Sequence, residues 1–100
     1  MIVIAGKITI DPAHRDTAIA AAVELMQETR KETGCLSYTF SADLVDPGCF
    51  RIFEEWESAE ALTTHFTRPH MARFQSIVPT LGVREMAVQR YEVASVGPVR

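Results

Sequence analysis

Two histidines, His65 and His70, flank Pro69 in the stretch Phe53–Phe74, which reads FEEWESAEALTTHFTRPHMARF. An imidazole with an unperturbed pKa near 6.5 suits proton abstraction at neutral pH. A histidine at a helix end is also commonly a partly buried group, bonded to backbone or to a carboxylate. Both readings apply to His65. A metal centre needs a third ligand at close spacing. His14 lies far off along the chain, and a spacing of five does not put two side chains on one helical face, so no metal is expected. Tyr38 and Trp56 suit either a core or the wall of an aromatic-binding site. Glu54 alternates in phase with Ile52 and Trp56, so a carboxylate falls on an apolar strand face. Such a group must be paired or solvated. Arg51, Arg84 and Arg90 are the expected partners in a structural salt bridge. Met26, Met71 and Met86 are most simply core fillers.

The common cofactor motifs are missing. There is no G-x-G-x-x-G, no phosphate-binding G-x-x-x-x-G-K-[ST], no H-E-x-x-H and no G-x-S-x-G elbow. Cys35 and Cys49 do not form a C-x-x-C pair. Flavin, nicotinamide and nucleotide phosphate have no dedicated binding element, and no cofactor is expected.

The elements that must position these groups follow from periodicity. Ile2–Ile10 alternates and is rich in β-branched residues, which predicts a strand. Asp11-Pro12 is a helix start, with Arg30 and Lys31 in the last turn and Gly34 as cap, which predicts a helix over 12–33. Leu36, Tyr38, Phe40, Ala42 and Leu44 alternate with polar residues. After the turn signal Asp46-Pro47-Gly48, Phe50, Ile52, Glu54 and Trp56 alternate in the same way. These two strands form a hairpin. A three-residue loop with Gly48 in the left-handed region places Val45 opposite Cys49 and Tyr38 opposite Trp56. It also pairs Phe40 with Glu54 and Ala42 with Ile52. Cys35 and Cys49 then sit at opposite ends of the hairpin, roughly 30 Å apart at about 3.3 Å per residue, too far for a disulfide. Free thiols fit a reducing compartment. Ser58 caps a short helix from Ala59 to about Phe66. Pro69 breaks it at Arg68, and a second helix carries Met71, Phe74, Ile77 and Val78. Val83–Val93 is the last strand.

The order β-α-β-β-(αα)-β predicts an α+β domain of ferredoxin-like arrangement over 1–94, with a tail at 95–100. Tyr38, Phe53, Trp56, Val88 and Tyr91 exceed what two helices can cover. A second copy of the chain is the simplest cover for the other sheet face, so a homodimer is expected.

One hundred residues, 47% hydrophobic and 23% charged, suit one globular domain. Ten basic against 13 acidic residues give a formal charge of −3, which argues against nucleic acid and against a basic membrane patch. The strand Cys49–Trp56 also lacks the basic-Gly-aromatic start of an RNA-binding strand. No uncharged run approaches the ~20 residues of a membrane span. Met1–Ile4 opens directly on a strand pattern without a charged leader, so a cytoplasmic chain is expected.

Glu32-Thr33-Gly34-Cys35-Leu36-Ser37-Tyr38 resembles the E-x-G-C-x-x-Y entry to the second strand of the antibiotic biosynthesis monooxygenase (ABM) domains. Glu54-Glu55-Trp56-Glu57-Ser58, Ala61-Leu62, His65 and Pro69-His70-Met71 resemble the E-x-W-x-S…A-L…H…P-H-M block of the same family. The resemblance covers about Ile2 to Val78 and is nearest in flavour to the quinol monooxygenase-like subgroup. It implies a dimeric α+β barrel with a cavity between sheet and helices in each subunit. It also implies oxygenation of hydroquinones or polycyclic aromatic phenols by O₂ without metal or flavin. By position it makes His65 the polar pocket residue and candidate base, with Tyr38 as hydrogen-bond donor. Trp56, Phe53, Phe66, His70, Met71 and Phe74 become substrate-binding positions. The haem-degrading relatives are less apt. They carry asparagine where this chain has Ala5, Gly6 and Lys7, and tryptophan at the position of His65. Their haem-ligating histidine has no clear counterpart near Phe74. The expected function is therefore a cofactor-independent monooxygenase on a small aromatic substrate. The alternatives are a non-catalytic dimer that binds a small aromatic ligand and, after it, a haem-binding member.

Overall fold

The computed structural model describes all residues, Met1–Arg100. Strand β1 (Ile2–Thr9) leads through a 3₁₀ turn at Pro12–His14 into α1 (Arg15–Thr29). Then come β2 (Cys35–Ala42), β3 (Cys49–Trp56), α2 (Ala59–His65), α3 (Pro69–Ile77) and β4 (Glu85–Glu92). The four strands form one antiparallel sheet in the order β2-β3-β1-β4, so β3 lies between β1 and β2 as in a split β-α-β unit. The helices cover one face. This is the ferredoxin-like α+β arrangement expected from the element order.

Local chemistry sets the boundaries. Asp11 accepts from the Ala13 amide and Pro12 follows it, as the sequence predicts, but the first turn is 3₁₀. The α-helix stops at Thr29, four residues before the expected end, and Gly34 closes the connection at φ +85°. Only glycine adopts that backbone cheaply. A β-carbon there would also lie 2.6 Å from the Ala61 Cβ. Ser58 caps α2 by accepting from the Ala61 amide, and Arg68, extended before Pro69, separates α2 from α3.

The hairpin departs from the expected register. Tyr38 faces Glu54, Phe40 faces Ile52 and Ala42 faces Phe50, with an irregularity between Cys35 and Ser37. The loop is longer than three residues. Asp43 accepts from the Val45 and Asp46 amides, and Asp46 accepts from the Gly48 amide. Side-chain oxygens thus build a turn that closes on the bond from Asp43 N–H to the Cys49 carbonyl. Gly48 has no positive φ. It is small because a β-carbon would stand 2.4 Å from the Ile10 carbonyl oxygen. The shift is two residues in the pairing sum, so every side chain keeps its predicted face. Leu44, expected in the strand, is fully exposed in the loop. Cys35 and Cys49 are free thiols.

The core lies between helices and sheet in two adjoining clusters. One gathers Ile8, Ile10, Ala18, Phe50, Ile52 and Leu81. The other gathers Ile2, Leu25, Tyr38, Trp56 and Leu62. The apolar groups that two helices could not all cover are divided between the two sheet faces by strand alternation. Tyr38 and Trp56 are buried beneath the helices, and Val88 faces the same way. Phe53 and Tyr91 point to the uncovered face, each 48% exposed.

Candidate functional site

A cavity of about 500 Å³ opens between the helical layer and the β1–β4 side of the sheet. Ile4, Ile8, Ile52 and Val88 form its floor, and Phe66, Met71 and Phe74 overhang it from the helical side. Gly6, without a side chain, sits on that floor between Ile52 and Val88. The lining is mostly apolar. A few polar groups converge on it: Tyr38, Glu54, Gln75, Gln89 and Arg90. A cavity of this size and composition is characteristic of small-molecule sites.

Tyr38 and Glu54 face one another across β2 and β3. Directly opposed residues hold their Cβ atoms about 4.5–5.5 Å apart, so phenol and carboxyl present side by side. The indole Nε1–H of Trp56 donates to Oε1 of Glu54 at 2.9 Å. No cation joins them. Arg51 pairs with Asp43, Arg84 with Asp11 and Arg90 with Glu92, so the expected salt bridge to Glu54 does not form. Burial therefore dominates. It pushes the Glu54 carboxyl up to about 7; the indole bond works against this, and the charge of Glu32 adds to it. Burial likewise pushes the Tyr38 phenol up, with Glu54 adding to it, so Tyr38 stays protonated and is a donor. Arg90 and Glu54 both pair with Ile4, from β4 and β3, so acid and guanidinium stand at one level on opposite sides of it.

Behind this wall lies a second polar cluster. Glu32, from the turn before β2, accepts from Nδ1 of His65 and Nε2 of His70, both at 2.7 Å on Oε2. The geometry assigns a proton to each of those nitrogens. His65 is 1% exposed and its ring lies among Trp56, Tyr38 and Phe66. Burial holds its pKa below the ordinary histidine value, against the pull of Glu32, so the ring is neutral. The third metal-type ligand that the spacing of His65 and His70 lacked is thus supplied by Glu32. The three donor atoms lie within 4.8 Å of one another. Two imidazoles and a carboxylate are a donor set suited to zinc or ferrous iron. In this structure the three groups satisfy one another by hydrogen bonds, with the Arg68 guanidinium 3.9 Å from the other carboxylate oxygen.

Of the residues expected at the site, Tyr38, Phe66, Met71 and Phe74 line the cavity. Trp56, His65 and His70 stand behind its wall, Trp56 being fully buried. Phe53 is a correction: it belongs to the opposite sheet face, because odd-numbered residues of β3 point away from the helices. Glu54, Gln75, Gln89 and Arg90 were not foreseen as lining residues. For Glu54 the signal was present, since alternation put its carboxyl on the apolar face. Arg90 shares a face with Val88, which the same alternation would have shown.

A four-stranded antiparallel sheet in this order, with helices on one face, defines the class as ferredoxin-like α+β domains. Within it, the chain belongs to the antibiotic biosynthesis monooxygenase family, whose model matches residues 1–76. A Deinococcus radiodurans protein provisionally named as such a monooxygenase is 29% identical, with a TM-score of 0.91 over 100% of this chain and 99% of that one. A Bacteroides thetaiotaomicron protein of unknown function, suggested to be an oxidoreductase, is 30% identical. It has a TM-score of 0.84 over 92% of this chain and 96% of that one. The uncharacterised protein sll1783 of Synechocystis sp. is 32% identical over 93 residues, which is 93% of this chain. The match spans 63% of that relative's length. No helix is long and apolar enough to cross a membrane.

Proposed function

We propose that the protein is a cofactor-independent monooxygenase that acts with O₂ on a hydroquinone or polycyclic phenol. The observation that carries this reading is Glu54: a buried carboxyl poised near neutrality, facing a mostly apolar cavity beside a protonated tyrosine. A general base with a pKa near the working pH is the best placed to take a phenolic proton. The resulting phenolate is electron-rich and is held by the Tyr38 hydroxyl at one side. Arg90 across Ile4 stabilises negative charge developing on a second oxygen. The substrate itself supplies all four electrons. A hydroquinone plus O₂ gives a hydroxyquinone plus water, one oxygen atom entering the ring and the other leaving as water. The scheme therefore calls on no metal or flavin.

Glu54 replaces His65 as the proposed base, because Glu54 lines the cavity whereas the His65 ring, 1% exposed, stands behind its wall. His65 is instead a positioning residue, packed against both Tyr38 and the indole that holds Glu54. We place the working unit as a homodimer in the cytoplasm. The exposed Phe53 and Tyr91 on the bare sheet face support the dimer, and two free cysteines support a reducing compartment.

The test is oxygen uptake by metal-free protein with reduced menadione and with an anthrone-type phenol, superoxide being scavenged. Protein-dependent uptake that Glu54→Gln lowers at least a hundredfold is the expected result. Binding of the same compounds without uptake would replace the enzyme by a ligand-binding dimer.

A further inference from the structure

Phe40 and Phe74 touch across the core, their rings 5.6 Å apart and tilted by 50°. On one side of them is the large cavity. On the other is a small, partly open pocket of about 20 Å³ lined by ten residues, every one apolar, of which Val83 is exposed. Ile8, Phe40, Phe74 and Val78 border both spaces, so the two are separated by side chains alone. The room exists because α1 presents Ala18 and Ala22 there, one turn apart, where larger side chains would fill it.

We propose that this pocket is a binding site for one small apolar molecule, and that in the oxygenase reaction it holds O₂. The assignment to O₂ rests on the function proposed above. A space of about 10–15 Å³ is the least that holds a molecule the size of water, and this pocket exceeds it; dioxygen is only slightly larger than water. Water needs two to four polar partners to settle in a buried site, and the lining offers none. Dry apolar voids instead take up apolar guests such as xenon. Dioxygen is a small apolar molecule of the same kind. Side-chain motion of Phe74 or Phe40 would pass it directly to a substrate lying against their other faces.

Xenon is the probe. The full chain, with labelled alanine methyl groups, is titrated with xenon and followed by NMR. Saturable shifts at the Ala18 and Ala22 methyls are expected. Ala22→Leu fills the pocket. Ala22→Val is a smaller step, for use if the leucine variant does not fold. In the filled protein the xenon response disappears. The KM for O₂ rises at least fivefold, while the KM for the quinol stays within twofold of wild type. Absence of saturable shifts at those methyls in the wild type would overturn the site. Xenon binding with an unchanged KM for O₂ in the filled variant would overturn its role for oxygen. Wild-type protein that consumes no oxygen counts against the oxygenase reading instead, and the xenon titration still decides the site.

Discussion

Glu54 is held where its charge is costly. Its carboxyl titrates at about 7 in the folded protein against an ordinary 4.5, so the fold favours the protonated form. The stability this contributes is complete below about pH 4.5 and is lost as pH rises through 7. In the proposed reaction activity runs the other way, because the base must be ionised. Oxygen uptake per active site is therefore expected to rise with pH, with a midpoint near 7, while the melting temperature falls between about pH 4.5 and 7 and levels off above that. Glu54→Gln keeps the shape and the Trp56 contact but cannot ionise. At pH 8 it should melt above wild type by about 2–3 kcal/mol of stability, with activity lost. Parallel thermal melts and uptake assays from pH 5 to 9 check both limbs. His65→Ala gives the contrast. It opens a hole beside Trp56 and strips a buried donor from Glu32, costing roughly 2–4 kcal/mol. Activity should drop, but the pH midpoint of the remaining activity should stay near 7. A midpoint that moved or vanished in His65→Ala would return the base to the histidine.

At the scale of elements, strand alternation carried most of the information. It correctly assigned Tyr38, Ile52, Glu54 and Trp56 to one sheet face even though the hairpin register was misjudged by two. Faces survive an even shift because the side-chain period is two. The loop itself was hidden, because the Asp43 carboxyl builds a turn that strand propensity does not reveal. The end of α1 was likewise hidden: helix-forming residues continue past Thr29, and the chain leaves the helix to deliver Glu32 and Gly34. Gly34 tests this connection. An alanine there must adopt φ near +85° and crowd Ala61, so Gly34→Ala should lower stability by about 1–3 kcal/mol, read by urea unfolding. Because Glu32 lies in the same turn, the bond to His65 should loosen too, visible as a change in its imidazole NMR signals.

For the whole molecule, one sheet face is covered by helices and the other is bare, with Phe53 and Tyr91 half exposed on it. If a second copy covers that face, Phe53→Glu with Tyr91→Glu should yield a folded monomer by light scattering. A wild-type chain that is itself monomeric at micromolar concentration would reject the pairing. The ferredoxin-like order, the helix break at Arg68 and the division of faces were legible in the linear sequence, because periodicity, proline and capping act over a few residues. So was the ABM block that runs through Glu54, His65 and His70. The partners of those three groups were not legible. Glu32 meets His65 and His70 across 33 and 38 residues, and Glu54 is left to an indole rather than an arginine. Which polar groups line the cavity and which stand behind its wall depends on how the helices sit on the sheet. Tertiary packing decided that, since burial and the absence of a counter-ion, not residue type, set the charge of a carboxyl.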